Sequence, residues 1–117
     1  MSDHNHIHYI ELPARDRDVM KAFYGSVFGW TFTDYGPTYA AFHGAGIEGG
    51  FDGDPGRRKP SDMGALVVLY SDDLPASLKA VEAAGAKISA PIFNFPGGQR
   101  FHFIDPSGNE LAMWTHA

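Results

Sequence analysis

The chain has no cysteine among its 117 residues. That excludes disulfides, thiol nucleophiles and cysteine metal sites, and fits a reducing compartment. Basic residues are few: nine Lys and Arg stand against fourteen Asp and Glu, for a formal net charge of -5. Phosphate binding needs a basic face, so nucleic acid is not an expected partner. No apolar run approaches the length of a membrane span, so no membrane partner is expected either. The first residues, Met1-Ser2-Asp3-His4-Asn5-His6, have neither the charged nor the apolar region of a secretory leader, which makes a cytoplasmic location the expectation. What the chain does have is 44% hydrophobic and 14% aromatic content, enough for one domain with a sizeable core.

From about Ile7 the pattern reads as a strand, with Ile10 and Leu12 on one face and Tyr9 and Glu11 on the other. Asp16 is a good N-cap. Behind it Val19, Met20, Phe23, Val27 and Phe28 recur at helical spacing, and Gly29 ends the helix. Three strands follow: 30–35, 38–43 and 47–51. The last carries Gly49 and Gly50, where a neighbour or ligand could approach closely. The polar, Pro- and Gly-rich stretch 53–62 is a linker, and its Arg57-Arg58-Lys59 reads as a solvated loop tip. The pattern then starts again. Residues 65–70 form a buried-looking strand. Asp72 or Asp73 caps a helix whose apolar stripe is Leu74, Leu78 and Val81, with Gly85 at its end. Strands 86–90 and 92–95 flank Pro91, at an edge or bulge.

The tail from Gly97 to Trp114 reads as two strands joined by Asp105-Pro106-Ser107-Gly108-Asn109. Pro106 presets φ, Gly108 takes a positive φ, and Asp105 can bond back to the turn's own backbone. Alternation puts Arg100, His102 and Ile104 on one face of the first strand, and Glu110, Ala112 and Trp114 on one face of the second. Strand, helix, three strands is thus written twice, which predicts duplication of one unit. The fold class is α+β: two βαβββ modules, module 1 over about residues 6–52 and module 2 over 63–117. One helix per module covers one sheet face, so the eight strands are expected to form an open bowl with the helices outside.

Asp16…Phe23-Tyr24-Gly25-Ser26-Val27-Phe28-Gly29-Trp30, with Asp105-Pro106-Ser107-Gly108-Asn109, resembles the vicinal oxygen chelate superfamily of glyoxalase I, bleomycin-resistance proteins and extradiol dioxygenases. The likeness spans nearly the whole chain. It implies a divalent metal (zinc, nickel, manganese or iron) that polarises vicinal oxygens of a small substrate. Carried over residue by residue, the four ligand positions fall on Tyr9, Glu48, Leu66 and Ala112. Leucine and alanine bind no metal, so the chain departs from a standard glyoxalase I. A one-residue slip of the first strand would put His8 in place of Tyr9.

The chemistry left on the expected inner face is Glu48, His102 and Glu11, the candidate catalytic residues. They could hold a metal, with Glu48 and His102 as its ligands, or act with no cofactor as base, acid and orienter. Tyr9, Arg100, Trp114 and Tyr70 are the candidate substrate-binding residues. The bland readings are a solvent-exposed Glu48 and a satisfied strand histidine at His102. Two functions follow. One is a glyoxalase-like lyase or isomerase acting on a small oxygenated substrate through a remodelled or absent metal site, to which the residues tilt slightly. The other is a non-catalytic small-molecule binding protein of the bleomycin-resistance type. A homodimer is expected because open sheet edges tend to be covered.

Overall fold

In a computed structural model, which describes residues 3–61 and 63–117, Asp16 is extended and its carboxylate accepts from the backbone N–H groups of Asp18 and Val19. That cap starts α1 (Arg17–Phe28). Gly29 ends it in the left-handed region, φ 73°, its N–H bonded to the Gly25 carbonyl. Met20, Phe23 and Tyr24 form the buried face. Val19, expected with them, is 47% exposed. It lies one residue, about 100° of rotation, away from Met20.

The first module has four strands, β1 (Tyr9–Pro13), β2 (Thr31–Tyr35), β3 (Tyr39–His43) and β4 (Glu48–Asp52), in the order β1-β4-β3-β2. β1 runs parallel to β4, and the other pairs are antiparallel. Registers place Ile10, Leu12, Phe32, Ala40, Phe42 and Phe51 on one face. The Tyr24 ring of α1 packs on Phe51 at 5.0 Å and stacks on Trp30 at 4.9 Å. Lys21 of α1 donates to both carboxylate oxygens of Asp34, at 2.9 and 3.0 Å. The other face has no helix. Tyr9 stands opposite Glu48 in the parallel pair, and His8 lies ahead of the strand, 3.4 Å from Asp3. The slip that would have substituted His8 does not occur.

The second module has β5 (Val67–Tyr70), α2 (Leu74–Ala83), β6 (Lys87–Phe95), β7 (Gly98–Ile104) and β8 (Glu110–His116), with strand order β5-β8-β7-β6. Asp73, not Asp72, caps α2 by accepting from the Ala76 N–H at 3.2 Å. Leu74 and Val81 pack with Phe101, Phe103, Leu111 and Met113 as the buried core. Two expectations change. The strands on either side of Pro91 are one continuous β6 with register shifts between Ile88 and Phe93. β6 is an edge strand, where proline's missing N–H costs no ladder bond. The first strand of this module is not buried: Val68 is 42% and Tyr70 48% exposed. It too is an edge strand, paired only with β8.

The two modules form separate compact units, one ending at Pro60 and the other beginning at Ser61. The fold is α+β, with a four-stranded sheet and one helix in each module. No helix among the described residues is long and apolar enough to cross a membrane.

The β7–β8 turn depends on one side chain. Asp105 Oδ1 accepts from the N–H groups of Ser107, Gly108 and Asn109 at 2.9–3.0 Å, and its Oδ2 accepts from Asn109 Nδ2 at 3.0 Å. Asp105→Ala removes all four of these bonds from a buried turn, although Gly108 N–H keeps its bond to the Asp105 carbonyl. It should lower stability by about 2–4 kcal/mol, since hydrogen bonds to charged groups are worth more than neutral ones and do not add fully. Urea unfolding should show a lower midpoint at an unchanged slope. An unmoved midpoint would mean that the turn holds without this carboxylate.

Candidate functional site

The helix-free face of the first module is organised by a pair of glycines. A Cβ on Gly49 would stand 2.2 Å from Cζ of Phe42, and one on Gly50 would stand 2.2 Å from the Tyr39 hydroxyl. One aromatic side chain therefore crosses β4 on each side. These are the close neighbours that the glycines admit. The Tyr39 ring reaches across to β1. There its hydroxyl donates to Glu11 Oε2 at 3.0 Å and bonds the Tyr9 hydroxyl. Arg57 stands behind, with Nη2 at 3.8 Å from Glu11 Oε1 and Nε at 3.0 Å from the buried Asp52 carboxylate. Burial first, and the bond donated to the Glu11 carboxylate beside it, push the Tyr39 phenol well above its ordinary range.

Tyr9 and Glu11, both expected at the site, are thus brought together, but through Tyr39, which sequence reasoning missed. The signal was there in part, because strand alternation can place Tyr39 on the Tyr9 face, and glycine at position 50 leaves a lane for its ring. Glu48 shares this face, opposite Tyr9. It is 64% exposed, with the His43 imidazole at 3.8 Å. His43 also bonds Thr33 through Nε2 at 2.9 Å.

In the second module the helix-free face carries His102, Arg100 and Trp114 in adjoining register positions. His102 Nδ1 lies 3.3 Å from Glu110 Oε2, and Ser89 Oγ donates to that same oxygen at 2.8 Å. A carboxylate only accepts, so His102 donates through Nδ1. Its Nε2 is buried and has no hydrogen-bond partner. Arg100 lies between two rings, its guanidinium carbon 5.3 Å from the centroids of both Phe93 and Phe95. Arg100 Nε is likewise buried without a hydrogen-bond partner. Trp114 continues the row, with Tyr70 at 5.4 Å, His116 at 4.7 Å and Phe95 at 6.3 Å. Glu110 was expected on His102's side but given no role, Phe93 was expected mainly in the core, and Ser89 was missed, because a lone hydroxyl on a strand gives no motif.

The residues present do not fit the divalent metal. Among the described residues no three His, Asp or Glu side chains converge to hold an ion. Glu48 has one imidazole near it, and His102 has one carboxylate. The backbone bonds Ala14 N–H to Asp52 O and Ser71 N–H to Trp114 O, both 2.9 Å, make Asp52 and Trp114 counterparts in the two modules. Counting back, Glu48 corresponds to Glu110 and Gly50 to Ala112. Glu48 and Ala112, the carried-over ligand positions of β4 and β8, are therefore not equivalent within the repeat. Ala112 itself is fully buried, paired with Val68 and His102.

A sequence model described as the Glyoxalase/Bleomycin resistance protein/Dioxygenase superfamily matches residues 6–113. A Mycobacterium bovis protein named "Putative glyoxylase CFP32" is 28% identical over 116 residues, covering 91% of this chain and 44% of its own. The chain thus spans under half the length of the curated relatives that it matches. Among solved structures, a glyoxalase-related enzyme from Fulvimarina pelagi superposes with a TM-score of 0.79 at 19% identity, over 96% of this chain and 88% of that one. Lactoylglutathione lyase from Agrobacterium tumefaciens gives 0.71 at 19%, over 97% and 96%. TnmS3, an antibiotic binding protein from Streptomyces sp. CB03234, gives 0.74 at 20%, over 100% of both chains.

The raised Tyr39 phenol has a consequence for pH. Its neutral form is favoured in the fold, so its contribution to stability is whole below the unfolded value of 10.0 and is lost as pH rises through the folded value. Alkaline titration followed by phenolate absorbance should leave part of the tyrosine signal to appear only with unfolding, and that part should be smaller by one tyrosine in Tyr39→Phe. An unfolding-linked signal of unchanged size in Tyr39→Phe would refute the relay.

Proposed function

The chain belongs to the Glyoxalase/Bleomycin resistance protein/Dioxygenase superfamily, and from that premise we propose that it moves a proton beside a carbonyl, using its own side chains on the second module. The observation that carries this reading is the state of His102, with Nδ1 held by Glu110 and Nε2 unspent. A neutral imidazole that donates through Nδ1 presents a lone pair on Nε2, which is the arrangement of a general base. The Ser89 hydroxyl fixes the carboxylate that orients it.

Arg100 supplies the complementary part. Its planar guanidinium, held between Phe93 and Phe95, keeps an N–H for an oxyanion. On a small hydroxy ketone, Nε2 takes the proton α to the carbonyl. The electron pair of the C–H bond moves into the carbonyl, and the enolate oxygen accepts from Arg100. The hydroxyl proton passes to the enolate oxygen, which leaves the charge on the other oxygen of the enediolate, and the imidazolium returns its proton to the former carbonyl carbon, which completes the isomerisation. The Phe93 ring lies 5.7 Å from that of His102. Glu48 and Glu11 take no part in this step. Glu11 belongs to the tyrosine relay, and Glu48 stays a surface carboxylate beside His43.

A second reading is favoured by the aromatic row Tyr70–Trp114–Phe95 beside Arg100, which suits a flat, anionic or oxygen-rich molecule without any reaction. The fold shared with an antibiotic binding protein supports it. In either reading the ligand is a small molecule. We also propose a homodimer, on the exposed apolar residues Leu66, Val68 and Tyr70 at the β5 edge, and a cytoplasmic location, on the cysteine-free composition.

Proton exchange separates the readings. Chelator-treated protein should catalyse deuterium uptake by hydroxyacetone in heavy water, read by NMR. His102→Gln should cut the rate at least a hundredfold, the usual share of a general base, and Glu110→Gln about tenfold or more, with folding intact. Exchange that survives His102→Gln, or that appears only when zinc, nickel, manganese or iron is added, sinks the proton-transfer reading.

The binding reading has its own readout. Anthraquinone-2-carboxylate should quench the protein's fluorescence through Trp114, because Trp30 is buried in the first module's core. Trp114→Phe should remove the quenching, and Arg100→Met should weaken binding about tenfold. Quenching that is unchanged in Trp114→Phe would place the ligand elsewhere.

A further inference from the structure

The first module carries a polar device that the proton-transfer site does not use. Tyr39 donates to Glu11, so its single proton is spent there. The bond between Tyr39 and Tyr9 must then be donated by Tyr9, whose own proton is spent in turn. Tyr9 is left with oxygen lone pairs only, on a residue 48% exposed at the helix-free face. We propose that Tyr9 Oη is an acceptor-only recognition point for a ligand hydroxyl, a phenol or alcohol, and that Tyr39 is the positioning residue that enforces its polarity.

Three features make this a built arrangement. Gly50 leaves the lane through which the Tyr39 ring reaches β1, since a Cβ there would lie 2.4 Å from its Cζ. Arg57, anchored on Asp52, faces Glu11 and supports an ionised carboxylate that can only accept. The phenol of Tyr39 is held neutral, so it keeps the proton that it donates. A hydroxyl rotor free to turn would accept or donate equally well and would select nothing. A rotor locked as donor to Tyr39 rejects an ether or carbonyl oxygen, because two acceptors would face each other with no proton between them. The inference rests on the first module alone and stands or falls independently of His102.

The test compares phenol with anisole, which differ only in the donor, by ligand-observed NMR titration of the full chain at neutral pH. Wild-type protein should bind phenol about tenfold more tightly, the scale of one net hydrogen bond. Tyr9→Phe should bind both alike. Tyr39→Phe should also lose the preference, chiefly by gaining anisole, as the released Tyr9 hydroxyl becomes able to donate. Equal wild-type affinities, no detectable binding of either probe, or a phenol preference that survives in Tyr9→Phe overturns the site. A preference lost in Tyr9→Phe but kept in Tyr39→Phe overturns the relay. If Tyr39→Phe fails to fold, the Tyr9→Phe comparison still decides the recognition point, because that side chain lies half exposed on an edge strand.

Discussion

Each sheet has four strands and a single helix against it, and this shortage of helices is the constraint from which the rest follows. One face is covered by an amphipathic helix and takes the large apolar residues. The other has no helix, so its side chains are free of the demand to be apolar. Strand alternation then sorts the residues. Phe101 and Phe103 go to the core, while Arg100 and His102 go to the bare face. The function proposed here uses what the sequence puts on that second face.

The two modules use the same backbone for opposite ends. Asp52 and Trp114 are counterparts, as are Gly50 and Ala112. In the first module the aspartate anchors Arg57, and the glycine lets Tyr39 cross to Glu11. In the second the tryptophan joins an aromatic row, and the alanine lies in register beside His102. One bare face is thus a hydroxyl–carboxylate network, and the other is rings around an arginine and an imidazole. The two modules share a scaffold, and the divergence lies in a few positions on the helix-free faces of β1, β3, β4, β7 and β8.

Most of the fold was legible because its signals are local. Asp16 with Gly29, and Asp105 with Gly108, are short-range devices whose geometry is set within a few residues. The repeat was readable from the matching run of capping aspartate, helix and glycine, Asp16 to Gly29 and Asp72 to Gly85. The exposed β5 was not, because Val67, Val68 and Leu69 look the same whether a strand lies in the middle of a sheet or at its edge. Of the site, the second module's share was half legible. Period two alone puts Arg100 with His102 on one strand and Glu110 with Trp114 on the next, whereas the pairing of His102 with Glu110 and the place of Ser89 depend on cross-strand register. Tyr39 was legible only in part for the same reason. Its partners are separated from it by about thirty residues, and only strand pairing brings them within reach.

That distinction bears on why the metal set failed as a guide. Ligand positions carried over along the chain assume that equal spacing from a motif means equal place in the sheet. The backbone bonds show otherwise, since Glu48 answers to Glu110 and not to Ala112. With Glu110 engaged by both Ser89 and His102, the carboxylate is already part of a closed pair. A closed carboxylate–imidazole pair differs from an open one in what it leaves unpaired. Oxygens and nitrogens that point together at a common centre would invite a cation. Here one nitrogen is satisfied by the carboxylate and the other lies buried without a partner. An unsatisfied buried nitrogen costs free energy, and a hydrogen-bond donor placed beside it would offset that cost.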